Sequence, residues 1–162
     1  AANIDETPRP REVPRALAKR LAFEKATAIA MQEQDALVLG ADTVVGVGRR
    51  ILPKCESVAE ARACLQLMSG RGHRVHSGIC LMQGARHWQR VVTSRVQMRR
   101  LGAEDIEAYL AAGEWRGKAG GYAIQGQAAA FISQITGSYS NIVGLPLFET
   151  ANLLQAAGFR SS

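Results

Sequence analysis

The chain has 162 residues, 47% hydrophobic and 21% charged, a composition that suits one globular domain with a sizeable core and excludes a disordered or fibrous chain. No apolar run approaches the roughly 18 residues of a membrane span. The net charge of +6 is unevenly placed: Arg71, Arg74, Arg86, Arg90, Arg95, Arg99 and Arg100 fall in one stretch that holds no Asp or Glu.

In chain order, Ala1–Glu6 has neither a basic n-region nor an apolar h-region, so no signal peptide is expected there. Pro8, Pro10 and Pro14 mark an extended lead-in, and Pro14 suits the first turn of a helix. Leu17, Leu21, Ala22, Ala26, Ile29 and Ala30 recur at helical spacing, which predicts a helix to about Gln34. Ala36–Val45 reads as a buried strand with Asp42 near its carboxyl end, and Arg50–Leu52 as a short strand. Gly46-Val47-Gly48 reads as a hairpin turn. Ser57 and Glu60 form a capping box for a helix to about Met68, stopped by Ser69-Gly70.

Arg74–Met82 and Trp88–Met98 are expected to be strands joined around Gln83-Gly84. His73 and His76, three apart in a strand, then lie on opposite faces and do not share a metal. The arginines either line the wet face of this hairpin or form a basic field for a polyanion; no aromatic residues interleave them as on a nucleic-acid platform. A helix follows at Gly102–Ala112. Lys118–Gly126 is a glycine-rich loop running into a strand, Phe131–Ile135 is another strand, and Leu147–Ala157 is a last helix opened by Pro146. Strands and helices alternate without a linker or repeat, so the expected class is α/β with a mixed sheet and flanking helices. Cys55, Cys64 and Cys80 are odd in number and widely spaced, which fits a reducing cytoplasm better than a disulfide or zinc scaffold.

Three places could carry chemistry. Asp42 lies inside an apolar run, where a carboxylate is costly unless it is paired or holds a metal; it is a cleft residue or a structural turn cap. Lys118-Ala119-Gly120-Gly121-Tyr122-Ala123-Ile124-Gln125-Gly126 lets backbone approach a ligand and adds a cation for phosphate, or is simply a turn; it lacks the Walker A ending. Gly137-Ser138-Tyr139-Ser140-Asn141 precedes a helix and is either an anion site or helix-start chemistry. Lys25 and Lys54, on pattern alone, are surface residues.

Together these pieces resemble the Maf family of nucleoside triphosphate pyrophosphatases. The likeness runs through Ile4-Asp5-Glu6-Thr7, Arg20-Leu21-Ala22 with Lys25-Ala26, Leu39 to Val45, Ser69-Gly70 with His73, Lys118 to Gly126, and Gly137 to Leu147, in the family's order. It implies a Maf/inosine-triphosphatase-like α/β fold over residues 1–162 with a cleft across the sheet. It implies metal-dependent cleavage, with Mg²⁺ or Mn²⁺, of a nucleoside triphosphate to monophosphate and pyrophosphate. Ala41-Asp42-Thr43 and Gln125 resemble the branch acting on dTTP and UTP. By that resemblance Asp42 is the general base, and Thr43 and Gln125 mark substrate choice. Glu6, Lys25, Lys54 and Lys118 are polar cleft residues, and Glu6 with Asp42 would hold the metal. A homodimer is also expected from the family.

Two departures stand out. The family's opening strand and Ser-Pro-Arg-Arg loop, which grips the triphosphate, have no match; Pro8-Arg9-Pro10-Arg11 follows the Glu6 motif and is not that loop. Leu52-Pro53-Lys54-Cys55 stands where the family usually has Gly-Lys-Pro. They support one rival, an inactive nucleotide- or nucleic-acid-binding module using the Arg71–Arg100 segment; a separate alternative is an enzyme of the related inosine-triphosphate type, told apart by preference for purine against pyrimidine.

Overall fold

The structure is a computed structural model and describes residues 3–159. Ala1 and Ala2, with which the amino-terminal reading begins, lie outside the described residues. An extended arm leads into helix α1 (Pro14–Ala30), followed by strands β1 (Val38–Val47) and β2 (Arg50–Ile51) and helix α2 (Val58–Met68). The long hairpin β3 (Gly72–Gln83) and β4 (Arg86–Met98) comes next, then α3 (Ala103–Ala112). A 3₁₀ turn (Gln127–Phe131) leads into β5 (Ile132–Thr136), short helix α4 (Tyr139–Val143) and helix α5 (Leu147–Ala156).

The strands form one sheet in the order β2-β1-β3-β4-β5. The expected α/β class with flanking helices holds, but the expected mixed sheet does not: every strand pairing among the described residues is antiparallel. For two of the four pairings the physical reason is connection. β1–β2 and β3–β4 are joined by tight turns, which reverse the chain, whereas a parallel pair needs a crossover on one side of the sheet.

α1 covers one face of the sheet. Ala18, Ala22 and Ala26 repeat every fourth residue and are fully buried, which lets the helix backbone lie almost on the strands. The strand residues beneath them are Gly40 and Gly78: a Cβ at Gly40 would sit 2.5 Å from the Ala22 carbonyl oxygen, and one at Gly78 would collide with the Ala18 carbonyl. Leu17 and Leu21 pack on Val44 beside this contact; full burial of each leucine contributes about 2 kcal/mol. The opposite face carries the main core, where Val45, Val75 and Val96 of the sheet meet Leu65 and Met68 of α2, Tyr109 and Leu110 of α3, and Trp115. α5 closes the rest of that face through Leu153 on Ile79 and Leu81.

Several expectations shift at their edges, and two change in kind. β1 runs to Val47, so Asp42 is mid-strand and not near its end. Lys118–Gly126 does not run into a strand; its single β-type contact is the bridge between Ala119 and Lys54. Gly120 and Gly121 both have positive φ (69° and 79°) and turn the chain away from any extended course. Helix α4 arises inside the polar cluster read as the lead-in to the last helix, because Ser138 accepts from the Asn141 N–H and caps it. Ser140 then accepts from the Leu147 N–H at the start of α5. The Ser57 cap forms as expected, accepting from Glu60 N, while the Glu60 carboxylate reaches back to the Glu56 N–H. His73 and His76 do lie on opposite faces: His73 meets Tyr122 and His76 meets Thr93.

Candidate active site

The site is built along β1. Among the described residues β2 pairs only Gly46 and Val47, so residues 38–44 have a neighbouring strand on the β3 side alone. Alternate side chains of a strand point to opposite faces. Asp42 therefore shares the α1 face with Gly40 and Val44, and Thr43 the other face with Val45. The open edge allows both to border one cleft. That cleft holds about 340 Å³ and is lined by Lys25, Asp42, Thr43, Lys118, Gln125 and Gly144 among others. A second, of about 390 Å³, adjoins it and takes in Glu6, Leu17, Asp42, Thr43 and Lys54.

α1 brings Lys25 to Asp42. The Lys25 Nζ donates to Asp42 Oδ1 at 2.6 Å and lies 3.0 Å from Glu6 Oε1. Lys54 Nζ donates to the same Glu6 oxygen at 3.1 Å and stands 3.9 Å from Asp42 Oδ1. Two ammonium groups and two carboxylates thus form one cluster, with the Asp42 side chain 3% exposed and that of Glu6 41%. Burial pushes the Asp42 carboxyl above the ordinary value, against the lowering effect of Lys25. Burial pulls Lys25 down, but its hydrogen bonds to Asp42 and Glu6 outweigh this and hold it up. Glu6 is less deeply placed; burial raises it, and the hydrogen bonds from Lys25 and Lys54 bring it below its usual value. The direction that matters for chemistry is that of Asp42. A buried carboxylate with a raised pKa is a stronger base once ionised.

Glu6 sits on an arm with no regular structure, so something must hold it. Arg20 of α1 does this: its Nε and Nη2 bind both Glu12 oxygens at 2.7 and 2.8 Å, and its Nη2 also donates to the Thr7 carbonyl. Bidentate pairing of this kind fixes direction as well as charge. The arm is thereby clamped to the helix that carries Lys25.

Lys54 is aimed by backbone pairing. Cys55 N donates to the Lys118 carbonyl, Gly117 N to the Cys55 carbonyl and Gly120 N to the Pro53 carbonyl. The Leu52-Pro53-Lys54-Cys55 departure therefore leaves Lys54 directed at Glu6 and Asp42, and the Cys55 thiol is buried 3.7 Å from that of Cys64. The same pairings bring exposed Lys118 to the cleft. Gln125 is exposed on the cleft wall, and its amide makes no hydrogen bond among the described residues, which leaves it able to donate and accept.

Glu6, Lys25, Asp42, Thr43, Lys54, Lys118 and Gln125 each line one or both clefts, and Glu6, Lys25, Asp42 and Lys54 are in direct contact; the Gly137–Asn141 cluster lines neither, and its Ser138 and Ser140 accept from the backbone at the starts of α4 and α5. Missed were Arg20 as the clamp of the Glu6 arm, and Ser77. Ser77 stands directly opposite Thr43 in the β1–β3 register and bonds to it at 2.8 Å. A serine within a strand has no local signature, and only the register shows what it faces. Arg20 sits next to Leu21-Ala22 in the matching block, yet its partner Glu12 lies too far off for helix spacing to signal it.

A family model described as Maf-like protein matches residues 1–157. A dTTP/UTP pyrophosphatase of Mesorhizobium japonicum is 57% identical over 166 residues, covering 98% of this chain and 80% of that relative. A dTTP/UTP pyrophosphatase of Chelativorans is 55% identical, covering 99% of this chain and 80% of that relative. One from Maricaulis maris is 57% identical, with 97% and 76% covered.

Proposed function

Because the chain belongs to the Maf-like protein family, we propose that it hydrolyses nucleoside triphosphates, dTTP and UTP foremost, to the monophosphate and pyrophosphate. The observation that carries this reading is the Asp42–Lys25–Glu6–Lys54 cluster where two clefts meet. A triphosphate needs cations along its length and a base for water at one end. Asp42 accepts the proton of the attacking water. Lys25, held against Asp42, keeps that carboxylate oriented and ionised. Lys54 and Lys118, on paired loops at the rim, balance the charge that grows on the departing pyrophosphate. Gln125 offers its amide to a pyrimidine edge. The direct test is pyrophosphate release from a panel of nucleoside triphosphates with Mg²⁺, in which dTTP and UTP should lead and purine triphosphates trail.

A divalent cation belongs to this reading. Magnesium sites commonly use one or two carboxylates completed by phosphate oxygens. Among the described residues no group of three or more His, Cys, Asp or Glu gathers into a ready cage. Glu6 and Asp42 nevertheless share one ammonium ion, so a positive charge between them is already favoured. That donor set fits Mg²⁺ or Mn²⁺ completed by substrate oxygens. Glu6 and Asp42 would hold the ion, which when bound supplies Lewis-acid polarisation of a phosphoryl oxygen. EDTA is expected to abolish pyrophosphate release and either metal to restore it; full activity in chelator would remove the metal from the scheme.

The pH dependence has a definite sign. Asp42 works as a base only when ionised, and burial places its pKa above the ordinary 3.8. Activity should therefore fall along an acid limb as Asp42 takes up a proton, and a bound Mg²⁺ would oppose the effect of burial by favouring the ionised carboxylate. Removing the lowering contact in Lys25→Met should move the limb further up. A limb at the same position in both proteins, read from kcat/KM against pH, would assign it to another group.

A homodimer and a cytoplasmic setting complete the proposal. Exposed Leu147 and Phe148 on α5 offer an apolar face, and the three cysteines are free buried thiols. No described helix is long and apolar enough to cross a membrane. Nucleic acid is not part of the reading. Arg99 is paired with Asp105, and Arg86 and Arg99 lie over Trp88 and Phe131.

A further inference from the structure

Two hydroxyls meet on the sheet face opposite α1. Thr43 Oγ1 lies 2.8 Å from Ser77 Oγ and 3.1 Å from the Gly144 carbonyl oxygen. Ser77 Oγ lies 2.9 Å from the Asn141 carbonyl oxygen. Both carbonyls belong to α4 and the residue that ends it, and a carbonyl can only accept. Two hydroxyls carry two protons, and three oxygen–oxygen contacts within the protein ask for them. None is left over for a ligand. Ser77 is fully buried and has no other role in view, whereas Thr43 is half-buried and borders both clefts.

Resting on the reading of this site as one that cleaves dTTP and UTP, we propose that Ser77 is a positioning residue that keeps the Thr43 proton turned into the protein, so that Thr43 meets the nucleobase as an acceptor. An acceptor at that point suits the imide N–H of uracil and thymine. It opposes the bare ring nitrogen that cytosine carries at the same place, because two lone pairs then face each other. Selection between pyrimidines is thus set by a hydroxyl that does not touch the ligand. The arrangement depends on register: Thr43 and Ser77 are direct cross-strand partners, and α4 sits over both.

The experiment compares kcat/KM for UTP, CTP and N3-methyl-UTP. In the unmodified protein N3-methyl-UTP should be cleaved at least about tenfold less efficiently than UTP, the size of one neutral hydrogen bond in discrimination. Thr43→Val should lose most of its UTP efficiency and shrink the N3-methyl penalty. Ser77→Ala removes one of the two acceptors holding the Thr43 proton. UTP efficiency should then fall while CTP efficiency rises, lowering the UTP:CTP ratio about tenfold. A merely structural role would lower both substrates together, and that outcome overturns the proposal. So does an N3-methyl penalty that is absent, or one that persists unchanged in Thr43→Val; these two readings need no stable Ser77 variant. If the unmodified protein cleaves neither UTP nor dTTP, the reading of the site itself fails and the inference falls with it.

Discussion

Asp42→Asn is expected to lower kcat for pyrophosphate release from dTTP about a thousandfold, the middle of the range for losing a positioned general base. The substitution keeps shape and volume, so the cleft walls stay in place. It removes the only group in the cluster that combines near-complete burial with basicity. Glu6 does not replace it. Its side chain is far more exposed, and two lysines hold it below its usual pKa, which makes it the weaker base. Folding should respond only modestly, because Lys25 keeps its pairing with Glu6 and no ammonium is left buried alone. A circular dichroism melt beside the kinetic measurement separates the two effects. Undiminished turnover in a folded Asp42→Asn protein would sink the general-base assignment.

Gly78→Ala is the second change with a large expected effect, and it acts through packing. The backbone of Gly78 touches α1 so closely that a methyl group would collide with the Ala18 carbonyl, which belongs to the helix itself and has no rotamer to escape into. Overpacking of this sort costs about 2–4 kcal/mol. In a domain of this size that lowers Tm by roughly 10 °C. The functional consequence follows from what α1 carries. Lys25 stands on it, and Arg20 clamps the Glu6 arm to it, so a displaced helix pulls two members of the cluster away from Asp42. Pyrophosphate release should therefore drop well below what the loss of folded protein explains. Gly84→Ala serves as a comparison. Its φ of 59° strains an added side chain, but nothing lies within 4 Å of it, and the cost should be about 1 kcal/mol. Equal melting shifts for the two variants would show that the contact between α1 and the sheet is not what makes Gly78 necessary.

Much of this architecture is legible in the residues. The helical spacing of Leu17, Leu21, Ala22, Ala26, Ile29 and Ala30, the apolar run of β1, the Ser57 cap and the alternating hairpin strands are local patterns. Local patterns report which side of an element is buried. They also report Asp42, because a carboxylate inside an apolar run is out of place without a partner. The run does not say where the strand ends, and the extension of β1 to Val47 put Asp42 at its middle. The Lys118–Gly126 loop departs from the expected strand for a related reason. Tyr122 and Ile124 after two glycines suggest extension, yet two consecutive positive φ angles redirect the chain. Helix α4 was hidden because five residues are too few to show a period.

The sequence by itself determined the family and the placement of Asp42 on a buried strand, whereas Glu6, Lys25, Lys54 and Lys118 entered only through the likeness to that family, since on pattern alone Lys25 and Lys54 read as surface. The placement of Asp42 rests on side-chain chemistry and spacing within a single element. Only the tertiary structure decided the partnerships. Lys25 reaches Asp42 across 17 positions and Lys54 reaches Glu6 across 48, and such contacts follow from how closely α1 lies on Gly40 and Gly78. The direction of the Thr43 proton was decided later still. It needs the β1–β3 register and the two carbonyls of the α4 segment together, and a hydroxyl in a strand shows neither until the chain has closed around it.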